Sequence, residues 1–593
     1  MPSNVDKEVP SSSGSRGTAY RQAQDGLQVS PPAGGRAQRG GGEPIVSAQT
    51  DRFVHDRLPP PDQWPELRYD LPELRALPAQ LNVVQALFDR AFANGHVNRP
   101  LFRSDERTLT YAQARAEVNR IANVLASLGL QPGNRVLLRG GNSIAMALAW
   151  LAVVQNGLIA VATMPLLRAT ELKTIIDKSH PAAVLCDVKL QDDLKSALAQ
   201  SADTAALPLH LFNTGDAAVV LSDSLEALAR HASAQATPCP TSADDIALLA
   251  FTSGTTGSPK ATVHTHRDVL AACETWPRHV LRATPEDIVI GSPPLAFTFG
   301  LGGLLIFPMW AGASVYFPGI PYTPEAMVKL IAQVGATLCY TAPTFYRQMA
   351  PFAKQHGIGQ LRISVSAGEG LPDATRQLWK EASGLEMLDG IGATEMFHIF
   401  ISAAPADVKR GAIGRVVPGY QAKIVDEQGN ELPRGQIGRL AVKGPTGCRY
   451  LDDARQTHYV QNGWNFPGDA FLQDADGHFV YQARTDDMII TAGYNVAGPE
   501  VEACLLQHPA VAECGVVGRP DDERGMIILA FVVLKPGQAA DAVQAKALQE
   551  HVKHSLAPYK YPRQVHFVPS LPRTETGKLQ RFALRRMATD SHA

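Results

Sequence analysis

The sequence predicts an α/β protein: a large N-terminal domain of βα-layered sheets and a small α+β domain at the C-terminus. Three observations predict it. At 593 residues the chain exceeds what one core organises, so two or more domains are expected. Helix-period and strand-like segments alternate for several hundred residues, as βα units around largely parallel sheets require. Near residue 484 that alternation gives way to short strands and turns. The expected division is a disordered tail over 1–45, a large domain over 46–485 and a small one over 486–593.

Each element has its own warrant. The first ~45 residues are rich in Ser, Gly, Pro and Arg and contain no apolar h-region, which predicts disorder and no signal peptide. "YAQARAEVNRIANVLASLG" has a helical period, "QPGN" is a turn, "RVLLR" a strand, and a second helix begins near Asn142 as cap. "IAMALAWLAVVQNGLIAVATM" approaches the length of a membrane span, but Gln155, Asn156 and Gly157 divide it into a buried helix, a turn and a strand. Past residue 484 come a strand end, an acidic turn, a short strand, a glycine turn and a helix with Pro499 at its first position. "ECGVVG" and "MIILAFVVLKPG" read as strands, followed by a helix over about 541–556 and a basic tail.

Composition excludes several classes. Hydrophobic content of 45%, charged content of 19% and a net charge of -2 describe a globular protein without the basic field that attracts nucleic acid. The seven cysteines are scattered and form no CxxC pair, which points to reduced thiols in a cytoplasm and not to a disulfide framework or zinc site. No membrane partner is expected.

One stretch is built to hold an anion. Thr252, Ser253, Gly254, Thr255, Thr256, Gly257, Ser258, Pro259 and Lys260 follow an apolar run and combine hydroxyl donors, backbone N–H groups exposed by glycine, and a terminal cation. That chemistry suits a polyphosphate. The GxxxxGK[ST] loop is absent, since Lys260 follows Pro259 and Gly577-Lys578 is followed by Leu579. The plain alternative is a flexible surface loop.

"TSGTTGSPK", "DGIGATE", "GD" at 468–469, "RTDDMIITAGYN" and "PRTETGK" occur in the order and spacing of the acyl-adenylate-forming superfamily, which the chain resembles over nearly everything after the tail. The resemblance implies ATP, Mg²⁺ and coenzyme A as ligands. It assigns the 252–260 loop to the β- and γ-phosphates, Thr394 to the α-phosphate and Glu395 to Mg²⁺. Gly368, Glu369 and Gly370 would lie along the adenine with Asp389, Gly390 and Ile391; many relatives carry tyrosine where this chain has Ile391, so stacking on the base becomes aliphatic. Asp469 and Arg484 match ribose contacts, with a surface ion pair as the bland reading. Lys578 resembles the lysine that bridges the carboxylate and the α-phosphate during adenylation, and Asp486 the hinge about which the small domain turns. In the second orientation Gly493 would leave a channel for pantetheine.

The acid is read from a further resemblance. "DGIGATEMFHIF", "ATMPLLRA" at 162–169 and the "AFTFG" form are similar to benzoate- and 2-aminobenzoate-CoA ligases. Phe297, Thr298 and Phe299 stand where many relatives carry a histidine, and with Tyr340, Ala342, Gly392 and His398 they would bound a small planar cavity. The bland readings are a core strand for the first three and a satisfied core residue for His398. The expected activity is ATP-dependent conversion of benzoate or 2-aminobenzoate to its adenylate and then its CoA thioester. A salicylate-type ligase, a stand-alone adenylating enzyme that loads a carrier protein, and a silent nucleotide-binding protein are the rivals. Partners are the small aromatic acid, ATP and CoA, with a homodimer as a possible assembly.

Overall fold

The computed structural model describes residues 46–201, 207–213, 223–252, 259–320, 322–491, 494–521, 524–556, 558–573 and 577–590. The chain divides into Met1–Gly42 and Glu43–Ala593, and every described residue belongs to the second unit. The tail, Ser253–Ser258 of the glycine-rich loop and the Ala492-Gly493 turn lie outside the described residues.

Two layered sheets carry most of the chain. In the first, Leu209–Phe212, Ala183–Asp187, Arg135–Arg139, Ile159–Thr163 and Ile246–Thr252 run parallel, and Lys260–Thr265 returns antiparallel at the edge. In the second, Met387–Gly392, Ile363–Ser366, Leu338–Thr341, Ile288–Gly291, Ser314–Tyr316 and Pro100–Arg103 run parallel, with antiparallel strands at both edges. Parallel strands are fed by crossover helices, which cover both faces and explain why strands such as Arg135–Arg139 are buried throughout. A third, wholly antiparallel sheet contains Gly438–Lys443, Asp469–Gln473 and Phe479–Arg484. The βα alternation does not announce this sheet, because its strands are short and joined by turns.

The membrane-length apolar stretch is the helix Ile144–Gln155, the turn Asn156-Gly157 and the strand Ile159–Thr163. Every residue of that helix except Ala145 is buried, so it is apolar all round because it is covered all round. Its C-terminal carbonyls are satisfied inside the protein, Gln155 O accepting from Asn82 Nδ2 at 3.0 Å. No helix among the described residues is long and apolar enough to cross a membrane. The helix cap, expected at Asn142, is Ser143, whose hydroxyl accepts from Met146 N. Asn142 instead grips the 293–295 segment, donating to Pro293 O and accepting from Leu295 N.

Beyond Arg484 a single turn, Thr485–Asp487, leads to the hairpin Met488–Thr491/Tyr494–Ala497 and the helix Gly498–Leu505, in which Pro499 is the second residue and not the first. Val511–Asp521, Gly525–Leu534 and Gln564–Phe567 form a three-stranded sheet, with Ala542–Ser555 and Arg581–Asp590 as helices. Its apolar residues cluster separately from those of the layered sheets. All seven cysteines are free thiols, six of them buried.

Candidate active site

Ligands of open parallel sheets bind beyond the carboxyl ends of the strands. Several of the expected site residues follow such strand ends. Thr252 ends the strand Ile246–Thr252 and pairs with Lys260, which opens the returning strand. Tyr340 lies near the end of Leu338–Thr341, Ala342 caps the next helix, and Gly368, Glu369 and Gly370 follow Ile363–Ser366. The strand Met387–Gly392 carries Asp389, Gly390, Ile391 and Gly392, and a single helical turn, Thr394–Met396, presents Thr394 and Glu395. Phe397 takes a left-handed φ of 68° and turns the chain back, so that His398 follows Glu395 by three residues but joins a different environment.

The charged half of the site is continuous. Asp469 and Arg484 face each other across their ladder, Arg484 Nη1 lying 3.3 Å from Asp469 Oδ1. Burial raises the Asp469 carboxyl, while Arg484 and Lys578 pull it back down. Lys578 sits beside the 368–370 segment: a side chain at Gly368 would lie 3.6 Å from Lys578 Cε. Arg573, five residues earlier, approaches Glu369 at 3.9 Å and donates to Glu513 at 2.6 Å. Thr344 Oγ1 holds Glu369 Oε2 at 2.7 Å. Lys578 keeps access to solvent although protein atoms crowd it. That crowding lowers its pKa, and the carboxylates of Glu369, Asp469 and Glu395 oppose the shift, so all three act on one ammonium. Solvent around the side chain moderates every one of these effects.

Glu395 is buried, and Tyr450 donates its phenolic hydrogen to Oε1. An oriented, buried carboxylate is a hard oxygen donor and fits a divalent cation. Lys260 Nζ donates to the same Tyr450 oxygen at 3.2 Å. Under this turn, His264 Nε2 contacts Thr394 O at 2.7 Å and its ring meets Phe397 edge-on. Asp389 lies inside the sheet, its carboxylate accepting from Gly390 N and 3.9 Å from Arg376. Burial pushes its pKa up to about 6.

The second half is aromatic. His398, Trp276, Phe299, Phe307 and Tyr340 form one cluster, with ring centroids 4.6 Å apart for Phe307–His398 and 5.9 Å for Phe299–Tyr340. Most of these pairs are tilted or edge-on, the geometries that ring quadrupoles favour. Glycines make the approach feasible: a Cβ at Gly302 would stand 2.6 Å from His398 Cδ2, and one at Gly303 2.8 Å from Tyr340 Cδ1. Burial lowers His398 to about 3, so its imidazole is neutral. Neither of its nitrogens reaches a partner at normal hydrogen-bond geometry among the described residues, nor do Trp276 Nε1 and the Tyr340 hydroxyl. The Phe299 backbone approaches His398 without meeting it well, and polar atoms so poorly met in an aromatic cluster are costly unless a polar ligand reaches some of them.

Of the two readings of "AFTFG", the bland one, a core strand, fails: Phe297 is the N-cap and Thr298 the buried first residue of the helix Thr298–Leu301. Phe299 joins the cluster, whereas no ring contact among the described residues involves Phe297. Sequence reasoning misses Trp276, Phe307, Tyr450 and His264. No motif marks them, and only the unusual pair of histidines in "TVHTH" hints at His264. Asp486 lies in the Thr485–Asp487 turn, and its side chain falls outside the described residues.

Known proteins share this organisation. The AMP-binding enzyme family matches residues 88–449, and the AMP-binding enzyme C-terminal domain matches 500–578. The chain is 35% identical over 515 residues to a benzoate–CoA ligase of Thauera aromatica, covering 86% of this chain and 96% of that protein. The solved anthranilate CoA ligase AuaEII in complex with anthranoyl-AMP superposes with a TM-score of 0.81 at 33% identity, covering 87% of this chain and 98% of that one. A benzoate CoA ligase from Burkholderia xenovorans LB400 superposes at 0.77 with 33% identity, covering 85% and 100%. With these matches, and with Lys578 standing beside Gly368 and within electrostatic reach of Glu395, the chain belongs to the AMP-binding enzymes, in their aryl-CoA ligase branch.

Proposed function

We propose that this protein activates benzoate or 2-aminobenzoate with ATP and passes the acyl group to coenzyme A, releasing pyrophosphate and then AMP. One observation carries the reading: a single strand–turn–strand, Met387–Ser402, links the charged network at Glu395 to the aromatic cluster at His398. An aromatic acid among the rings would direct its carboxylate at a nucleotide held by the charges.

A carboxylate oxygen attacks the α-phosphorus, and the bond to the β-phosphate bridging oxygen breaks. Lys578 neutralises charge that develops between the two anions. A cation ~4 Å from that charge at an effective dielectric of ~20 is worth about 4 kcal/mol. Thr394 donates to the α-phosphate; Lys260, Thr252 and the Ser253–Gly257 loop hold the departing pyrophosphate. Asp469 accepts from the ribose hydroxyls, Arg484 donates to the same sugar, and the Gly368–Gly370 segment with Asp389, Gly390 and Ile391 borders the adenine. Mg²⁺, held by Glu395, would supply charge neutralisation on the phosphates. In the second half-reaction the CoA thiolate attacks the acyl carbonyl and AMP leaves. That step needs Lys578 withdrawn and the turn at Gly493 brought in, by rotation of residues 486–593 about Asp486 against 46–485. A cytoplasmic location, where ATP and CoA are found, fits this chemistry.

Neutral His398 and the Thr298 hydroxyl would discriminate ring substituents, Thr298 as hydrogen-bond partner to an ortho group. The test is a panel of benzoate, 2-aminobenzoate, salicylate and cinnamate, scored for AMP and acyl-CoA with wild type and Thr298→Ala. Benzoate or 2-aminobenzoate should turn over best, with Thr298→Ala selectively impairing ortho-substituted acids. Equal turnover by both proteins refutes the Thr298 role. AMP release without any thioester would move the function to carrier loading.

A further inference from the structure

Tyr450 lies outside every motif that pointed to the site, yet its hydroxyl joins the two most distinctive charges in it. The ring is fully buried, stacked edge-on against Tyr459 at 5.7 Å. Its backbone is pinned to the strand that Lys260 opens. Val263 N donates to Arg449 O at 2.8 Å and Leu451 N to Ala261 O at 2.9 Å, while Tyr450 N donates to Gln456 Oε1 at 2.9 Å. Gln456 is fixed in turn by Cys448 O and Gln63 O. The hydroxyl therefore has little freedom to drift.

Donor and acceptor capacities set the direction of the network. An ammonium only donates, a carboxylate only accepts, and a phenol does one of each cheaply. Lys260 Nζ gives to the Tyr450 oxygen, and the Tyr450 hydrogen goes to Glu395 Oε1. Burial and the Glu395 charge both oppose ionisation of the phenol, so it remains a neutral donor. Without that hydroxyl, a flexible lysine and a buried carboxylate left unpaired would close on one another, since each is costly alone. A direct pair would cancel the charge of Glu395.

We infer that Tyr450 is a positioning residue that holds Lys260 and Glu395 apart through one phenolic oxygen, leaving the carboxylate unpaired with the ammonium and open to a divalent cation bound with ATP. This rests on the proposed adenylation but reaches past it, to how the phosphate lysine and the metal-site carboxylate coexist without neutralising each other.

The test is a double-mutant cycle with Tyr450→Phe and Lys260→Met. Binding of Mn²⁺ with α,β-methylene-ATP, which cannot be adenylated, is measured by water proton relaxation enhancement. In the wild-type background Tyr450→Phe should weaken binding about tenfold, because the freed ammonium then competes with the cation for Glu395. In the Lys260→Met background it should cost under ~2-fold, because no cation remains to collapse onto Glu395. A cooperative thermal transition, and measurable thioester formation from supplied aryl-adenylate and CoA, should persist in Tyr450→Phe and so report on folding. Unchanged Mn²⁺ binding in Tyr450→Phe, or an equal loss in both backgrounds, overturns the inference. Absence of acid-dependent pyrophosphate exchange in the wild type would instead refute adenylation, while the metal-binding cycle would still judge Tyr450.

Discussion

Glu395 and His398 are three residues apart and stand in opposite kinds of surroundings. Around Glu395 the groups are charged, paired and linked through Tyr450, Lys260, Asp469, Arg484 and Lys578. Around His398 they are aromatic, neutral and short of partners. The contrast shows how one turn serves a reaction between a polyanion and a flat apolar acid. On the proposed function, charge placement sets the rate at one end, and ring shape with a few polar atoms sets the choice of substrate at the other. The left-handed Phe397 makes the switch possible within so few residues.

The sharpest way to break the comparison is at Lys578. Replacing it with alanine should lower adenylation by roughly a thousandfold, the rate equivalent of about 4 kcal/mol. Conversion of supplied aryl-adenylate and CoA to thioester should persist. Stopped-flow measurement of the two half-reactions separates these outcomes, and equal losses in both would contradict the assignment. Next in size, Asp469→Asn should raise KM for ATP about tenfold or more, through a lost hydrogen bond to a charged group, and leave KM for the acid nearly unchanged.

At the aromatic end the expected effect is smaller and opposite in pattern. Gly302→Ala drives a methyl group to 2.6 Å from His398 Cδ2. Overpacking of this kind costs about 1–3 kcal/mol. It should therefore raise KM for the aromatic acid roughly tenfold while sparing KM for ATP. A variant impaired equally for both substrates would mean that the two halves are not separable.

The smallest effect is a pH dependence beneath the turn. Asp389 has its pKa raised from 3.8 to about 6 in the folded protein. The unfolded chain releases that proton near pH 4 and the folded chain near pH 6, so this group's contribution to stability falls as pH rises through the window and is level above it. Asp389→Asn lacks the penalty. Its stability relative to wild type should improve between about pH 4 and pH 6 and then hold constant, read by urea denaturation at each pH. A difference independent of pH would place the raised pKa in doubt. His398, lowered to about 3, stays neutral throughout and should leave no inflection in acid binding above about pH 4.

Much of the fold and of the charged half of the site is legible in the amino-acid sequence. The helix Tyr111–Ser127, the strand Arg135–Arg139 and the divided apolar stretch at 144–164 follow from periodicity and turn residues, which are local properties. Glu395, Asp469, Arg484 and Lys578 are marked by short motifs, because the phosphate and sugar contacts proposed for them demand particular side chains in fixed local settings. What escapes is whatever depends on meeting across the fold. Trp276 and Phe307 look like any buried aromatics until His398 is set between them. Tyr450 is one more apolar-flanked tyrosine until its hydroxyl meets Lys260 and Glu395, residues 190 and 55 positions away. For "AFTFG" only the bland alternative misleads, since aromatics and threonine favour strands while this segment, packed against Tyr340 and His398, starts a helix.

The central claim is that the energy of ATP is captured as an aryl-adenylate at the junction of these two halves. It is tested most directly by incubating the purified protein with ATP, Mg²⁺, 2-aminobenzoate or benzoate, and CoA, and resolving the nucleotide products by chromatography. The account predicts AMP, pyrophosphate and aryl-CoA in equal amounts. ADP with inorganic phosphate, or intact ATP with every aromatic acid offered, would contradict it.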